Sequence, residues 1–344
     1  MTIVADHYQF ITGIDTHSKN HQYAVIDHTG RLIDERNYPA TAAGITRAQT
    51  WLTKITGGHD TLASIDGAGS YGRPLTLALS HAGIRVVEAP KTRYRPAGKD
   101  DRLDARTAAT SVLPLEESSL NDAKNGPERD AIQILLTARA ELTREHTKAI
   151  NRLIALTRRF QLGIIIRTKI TLAQTRQIAA WRTTRTSDPV DIRTARAEAT
   201  RLAERLLTLR TDITSNEKAL LELTRLVAPQ LLDQPGIGPI TAAQIFASWS
   251  HPGRVRSEAA FARLAGVAPK PASSGDRTRH RLDRGGDRRL NAALHRVIIT
   301  RARTHPETRA YIERRRTQGR TDRDIRRILK RYLARDLYRL LETP

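Results

Sequence analysis

Apolar and polar positions along the chain change period twice. In the first third, short apolar runs alternate with stretches of helical spacing. Residues 11–15 (ITGID) form a short run ending in Asp, 22–27 (QYAVID) a second, and 31–38 (RLIDERNY) a third, with His28-Thr29-Gly30 as a turn. Runs of this length bounded by turn residues read as strands, here an antiparallel meander of three. Ile45, Ala48, Leu52 and Ile55 then share one face of a helix over 42–56. A fourth strand at 61–66 (TLASID) again ends in Asp, and Gly67, Gly69 and Gly72 mark a sharp turn. A helix over about 73–82, its stop at Gly83, a strand at 84–88 (IRVVE) and a helix over 100–112 complete this part.

The middle, 128–228, has another character. Gly163 is its only glycine, and apolar residues recur at helical spacing over 131–166 and again over 192–227. Two long helices joined near 184–191 are expected, of the kind that form coiled-coil spacers or dimer contacts. The last part, 229–344, opens on Pro235-Gly236-Ile237-Gly238-Pro239 between apolar helical stretches, runs through a Gly- and Arg-rich segment at 265–289, and ends in basic helices. The Pro-Gly-Ile-Gly-Pro turn reads equally as a helix-hairpin-helix hinge, where glycine lets backbone N–H groups approach a phosphate, or as a plain turn. The element order of the first part, a meander followed by crossover units, is that of a ribonuclease-H-like α/β fold. The expected organisation is therefore an α/β domain at 1–112, a helical coiled-coil region at 128–228 and a mainly α domain at 229–344.

Charge narrows the function. Lys and Arg number 58 against 36 Asp and Glu, a net +22. So large a surplus spreads a positive field over the surface and makes polyanions, nucleic acid above all, the natural partners. A ribosomal or histone-like packing protein ranks second, because such proteins lack an ordered set of carboxylates. Without cysteine, disulfides and Cys-based zinc sites are excluded. The first residues lack a basic start and apolar run, so no secretory leader is expected. No stretch approaches the ~18 apolar residues of a membrane span. The expectation is a soluble, cytoplasmic protein without membrane contact.

Asp15 and Asp66 end two strands, and Asp101 and Asp104 lie three apart on one face of a helix. On the residues alone two readings are open. Asp at a strand end is a common turn or cap residue, and the helical pair has Arg102 and Arg106 beside it. Four carboxylates at places that the fold can bring together, in a strongly basic chain, favour a site for Mg²⁺, which takes oxygen ligands and binds phosphate. His17 and His21 lie near Asp15, with phosphate or solvent as equal alternatives to a metal.

Ser273 and Ser274 precede Gly275 in a loop, with Arg277, Arg279, Arg281, Arg284, Arg288 and Arg289 following. Arginines there can neutralise charge developing on a phosphate. From residues alone, Ser-Ser-Gly reads as an ordinary turn, with Arg gripping backbone phosphate. Tyr311, Tyr332 and Tyr338 raise a tyrosine nucleophile, but no Arg-His-Arg constellation accompanies them and packing on basic helices is the better reading.

Ile14-Asp15-Thr16-His17-Ser18-Lys19, Ile65-Asp66-Gly67-Ala68-Gly69-Ser70-Tyr71-Gly72 and Gly98-Lys99-Asp100-Asp101-Arg102-Leu103-Asp104-Ala105 resemble the N-terminal domain of the DEDD transposases of insertion-sequence family one-ten. That family includes Piv-type DNA invertases, and its N-terminal domain is similar to the RuvC Holliday-junction resolvase. The stretches PGIGPITAA, LAGVAP, SSG and RGGDRRLNAAL between Leu232 and Leu294 look like its transposase-20 domain. The resemblance implies a metal-binding catalytic set of Asp15, Asp66, Asp101 and Asp104, although the family usually has Glu where Asp66 stands. It implies Ser274, the serine before glycine, as a covalent nucleophile, with Lys99 and the loop arginines on nucleic acid. It further implies cutting and rejoining of donor and target DNA, guidance by a bridge RNA, Mg²⁺ as cofactor, and a homo-oligomer, dimer or tetramer.

Overall fold

The computed structural model describes residues 2–90, 100–182, 188–271, 280–281 and 285–343, with side chains left undescribed at 270–271 and 280–281. The chain divides into two compact units. One holds Met1–Gly126 with Trp249–Phe261, the other Pro127–Ser248 with Ala262–Pro344.

The first unit is built on a mixed sheet. Its elements are α1 (Val4–His7), β1 (Phe10–Thr16), β2 (Asn20–Asp27), β3 (Leu32–Pro39), α2 (Ala42–Thr56), β4 (Thr61–Asp66), α3 (Arg73–His81), β5 (Arg85–Glu88) and α4 (Asp101–Thr110). The strand order is β3-β2-β1-β4-β5. The first three strands pair antiparallel, as the meander predicts, and β4 and β5 add on parallel to β1. Parallel neighbours need crossover connections, which α2 and α3 supply. A mixed sheet with flanking helices is consistent with the expected ribonuclease-H-like fold.

Both faces of the central strands are covered, so β1 and β2 are buried almost without alternation. On one face Ile14, Tyr23, Val25 and Ile65 meet Trp51 and Leu52 of α2 and Leu75 and Leu79 of α3. On the other, Ile11, Ile26, Leu62 and Val87 meet Ala109 of α4 and Val112 beyond it. At the edge, β3 is polar and largely exposed, which discourages pairing with other chains. Helix α2 starts at Thr41, whose side chain accepts from the Gly44 N–H, and stops at Gly57, where φ is 60°. Both are ordinary helix-end devices. Segment 249–261 belongs to the same unit. Its Arg254 is 5% exposed, donates to the Asp122 carbonyl at 2.8 Å and lies 3.4 Å from Glu88.

The second unit is mostly helical. It contains α5 (Pro127–Arg159), α6 (Leu172–Ala179), α7 (Val190–Val227), α8 (Pro229–Leu232), α11 (Arg288–Thr304), α12 (Pro306–Thr317) and α13 (Asp322–Glu342), with a two-stranded hairpin of β6 (Lys270–Pro271) and β7 (His280–Arg281). Helices α9 (Pro239–Trp249) and α10 (Glu258–Leu264) span its boundaries. Helices α5 and α7 run antiparallel. Asn216 donates to the Leu135 carbonyl, Arg139 to the Ile213 carbonyl, and Arg205 pairs with Glu145.

The middle departs from two helices joined near 184–191. Helix α5 ends at Arg159, seven residues short of the expected 166, and α6 occupies part of the connection. Gln161 and Gly163 take positive φ of 45° and 81° and turn the chain. Leu162 and Ile166, which continue the apolar pattern past the helix end, are buried. Leu162 and Ile178 pack with Leu153 and Leu202. Thr171 and Gln174 form a capping box that starts α6. Among the described residues no helix is long and apolar enough to cross a membrane.

Candidate functional site

Strands β1 and β4 end together. Their parallel register sets Asp15 beside Asp66. Side chains alternate along a strand, and Ile11 and Leu62 face α4 while Ile14 and Ile65 face away. Asp15 and Asp66 therefore stand on the α4 face. Gly13 shares that face and lets α4 press directly on the strand: a Cβ added there would lie 2.0 Å from the Ala105 carbonyl oxygen and 2.4 Å from the Ala109 nitrogen. Asp100 caps α4 by accepting from the Arg102 N–H at 3.0 Å. Asp101 and Asp104 fall in the first turn, where the helix dipole favours negative charge.

Close packing of α4 on β1 gathers Asp15, His17 and Asp101. His17 Nε2 is 2.9 Å from Asp15 Oδ2 and 3.3 Å from Asp101 Oδ1, and one ligand atom from each of the three lies within 4.8 Å of the others. Asp15 is 6% exposed. Burial pushes its carboxyl above the usual carboxylate range; His17 works against that shift, and the charges of Asp104 and Asp101 add to it. A site that crowds carboxylates around a buried one is electrostatically short of a cation, and carboxylate oxygens with one imidazole suit a hard divalent ion.

Not every expected acid joins the group. Among the described residues Asp66 and Asp104 lie outside the close trio, though Asp104 acts on Asp15 through its charge and Asp66 adjoins it in register. Asp66 is exposed, and its carbonyl accepts from the Thr16 hydroxyl at 2.7 Å. The glycines after it wrap Thr16: a Cβ on Gly67, whose φ is 78°, would come within 2.6 Å of Thr16 Oγ1. His17 was legible as a neighbour of Asp15 but not as its partner, because it lies just past the end of β1. His21 is 1% exposed, sits opposite Thr16 on β2 and is outside the trio.

Ser273, Ser274, Lys99, Arg277, Arg279 and Arg284 lie outside the described residues, as does the side chain of Arg281. The base of the serine loop is described. There the β6–β7 pairing sets Lys270 opposite Arg281 and Pro271 opposite His280. The flanking motifs LAG and GGD interlock backbone to backbone: a Cβ on Gly286 would lie 2.4 Å from the Gly266 nitrogen, and the Asp287 N–H donates to the Leu264 carbonyl at 2.6 Å. Asp287 also caps α11, accepting from the Arg289 and Leu290 N–H groups, and accepts from the Ser248 hydroxyl. Asn291 donates to the Ala265 carbonyl at 2.7 Å and accepts from Lys330 at 3.1 Å.

Two other features make packing contacts among the described residues. In the Pro-Gly-Ile-Gly-Pro turn, Gly236 has φ of 75°, and a Cβ there would meet Arg301 Cγ at 3.1 Å and the Val297 carbonyl oxygen at 3.3 Å, both on α11. Tyr311 and Tyr332 form an edge-to-face pair 6.1 Å apart. Arg314 and Arg315 cover Tyr311, and Arg335 covers Tyr332.

The sequence matches known families over both of these regions. Residues 12–160 match the IS110-type DEDD family described as "Transposase", and residues 228–313 match the family described as "Transposase IS116/IS110/IS902 family". The chain is similar to the insertion element IS900 uncharacterized 42 kDa protein of Mycobacterium paratuberculosis, 28% identical over an alignment of 360 positions that covers 89% of each chain. The two family matches fall on the acidic site and on the clamp around the serine loop.

Proposed function

As the chain belongs to the IS110 family of DEDD transposases, enzymes of DNA cleavage and strand transfer, we propose that it cuts and rejoins DNA with two chemical centres, an acidic Mg²⁺ site and the nucleophile Ser274. The observation that carries this reading is the trio of Asp15, His17 and Asp101, whose ligand atoms lie within 4.8 Å of one another. Asp66 and Asp104 complete the acidic set, Asp66 standing where the family usually has Glu. Mg²⁺ bound among these acids supplies positive charge to a phosphodiester. In this reading residues 1–112 carry the acids, 229–344 carry the serine, and 128–228 form a coiled coil between protomers of a dimer or tetramer.

Ser274 Oγ attacks the phosphorus of a strand, its proton leaves to a base, and the displaced sugar oxygen departs as a hydroxyl. One phosphodiester is exchanged for another, so rejoining runs in reverse without ATP. Lys99, Arg277, Arg279, Arg281, Arg284, Arg288 and Arg289 hold backbone phosphate. A bridge RNA that pairs with donor and target DNA supplies sequence choice, and the protein then needs mainly backbone contacts. The +22 charge supports that division of labour.

The test is a protein–DNA adduct on a denaturing gel. With wild-type protein, DNA ends of the element, bridge RNA and Mg²⁺, an adduct is expected. Ser274→Ala should bind DNA and give none, while Ser273→Ala should be far milder. Asp104→Asn should abolish cleavage and leave binding. An adduct that persists in Ser274→Ala would place the nucleophile elsewhere, and wild-type cleavage by Asp104→Asn would end the acidic-site reading.

A further inference from the structure

The second unit contains a groove of about 580 Å³ between α5, α9 and α11. Four arginines line it: Arg139 from α5, and Arg288, Arg289 and Arg296 from α11. No carboxylate is among its lining residues. Its lining includes the small residues Ala292 and Ala293 of α11, which leave room between the cationic side chains.

The arginines differ in how they are held. Arg139 donates to the Ile213 carbonyl at 3.0 Å and pairs with Glu217 at 3.1 Å, so its position is set by α7. Arg288, Arg289 and Arg296 are exposed, and none makes an ion pair among the described residues, although this chain has many such pairs elsewhere. Three cations gathered in one concave, carboxylate-free surface repel one another and raise the local potential, which focuses on an incoming anion. Guanidinium groups are suited to phosphate oxygens, which they bind in pairs.

Spacing selects the form of the anion. Arg289 and Arg296 are seven residues apart on one helix, about 10.5 Å along its axis. That is the axial rise of about three nucleotides at ~3.4 Å each on one strand. A free phosphate would engage one end of such a row; a phosphodiester chain engages all of it. We infer that the α5–α9–α11 groove is a track for the phosphodiester backbone of a nucleic acid, with Arg296 and Arg139 extending the contact beyond the arginines at the start of α11. The inference rests on the reading of the chain as a nucleic-acid enzyme and adds to it a binding surface that shares Arg288 and Arg289 with that reading and extends it to Arg139 and Arg296.

The experiment measures binding by the full chain in EDTA, where no metal-dependent chemistry occurs, so a failure here is separate from a failure of cleavage. Fluorescence anisotropy would follow a labelled DNA duplex and a labelled RNA duplex of equal length across a salt series. Arg288→Gln combined with Arg296→Gln should weaken binding about tenfold and lower the slope of log affinity against log salt by about two, one for each phosphate left without its arginine. The effect on DNA, RNA or both identifies which backbone occupies the track. Arg47→Gln with Lys54→Gln removes the same charge from exposed positions of α2 and should change affinity less than about twofold. Thr143 also lines the groove and is exposed, so Thr143→Lys should raise the slope by about one; this arm does not depend on the double variant folding. Equal losses in both double variants would reduce the groove to bulk charge, and no change with either probe would overturn it.

Discussion

Asp15 concentrates the cost of the acidic site in one side chain. Its carboxyl is buried, and its ionisation is disfavoured first by that burial and then by Asp104 and Asp101, against the help of His17. A carboxyl whose pKa is raised on folding contributes stability that is complete below its unfolded pKa and is lost as pH rises through the folded one. The metal-free protein should therefore lose stability across that range, and Asp15→Asn should raise its melting temperature at neutral pH by a few degrees, at about 2–4 °C per kcal/mol. Added Mg²⁺ should stabilise wild type and not Asp15→Asn. Thermal melts with and without Mg²⁺ test this; a variant that melts lower than wild type in EDTA would show that Asp15 serves the fold more than the site. The places of Asp15 and Asp66 near strand ends and of Asp101 and Asp104 on one helix were legible, because acids at strand ends and at i, i+3 follow from pattern alone. The role of His17 was not, because its proximity to Asp101 depends on how closely a helix lies on a strand.

That closeness is set by Gly13, which the pattern shows only as a gap in an apolar run. Ala105 and Ala109 complete the contact, both fully buried. Gly13→Ala would drive a methyl into the α4 backbone, which has no flexible end to give way. Overpacking of this kind costs about 1–3 kcal/mol, and relief requires α4 to move away with Asp101 on it. The expected outcome is a lower denaturation midpoint together with weaker divalent-ion binding by calorimetry. Loss of stability with unchanged ion affinity would show that Asp101 is not a ligand. Elements with strong periodicity were legible here: the meander, the crossovers and the long helices α5 and α7 stand close to their expected places. The end of α5 was not, because Leu162, Ile164 and Ile166 sustain an apolar pattern after the backbone has turned at Gln161 and Gly163. Burial under α6 demands apolar residues whether or not they are helical, so periodicity cannot mark where a helix stops. The capping box of Thr171 and Gln174 was present in the sequence as a signal for α6.

At the scale of the whole molecule, net charge was legible and chain routing was not. Segment 249–261 falls within the part expected as the domain at 229–344, yet it folds with the N-terminal sheet, where Arg254 reaches Asp122 and Glu88. A hydrogen bond to a charged group contributes about 1.5–3 kcal/mol. Arg254→Met should lower the unfolding free energy by about that much, and hydrogen exchange should localise the loosening to strand β5 and residues near 122. Uniform loosening of the C-terminal helices instead would contradict the assignment of this segment. The chain changes unit at 126/127, 248/249 and 261/262, which has a consequence during synthesis. The sheet leaves the ribosome first, but it waits for Arg254 until α5, α6, α7, α8 and α9 have been translated. A message broken before that point yields a sheet without its last piece, so completion of the acid-bearing fold is tied to the making of more than half of the other unit.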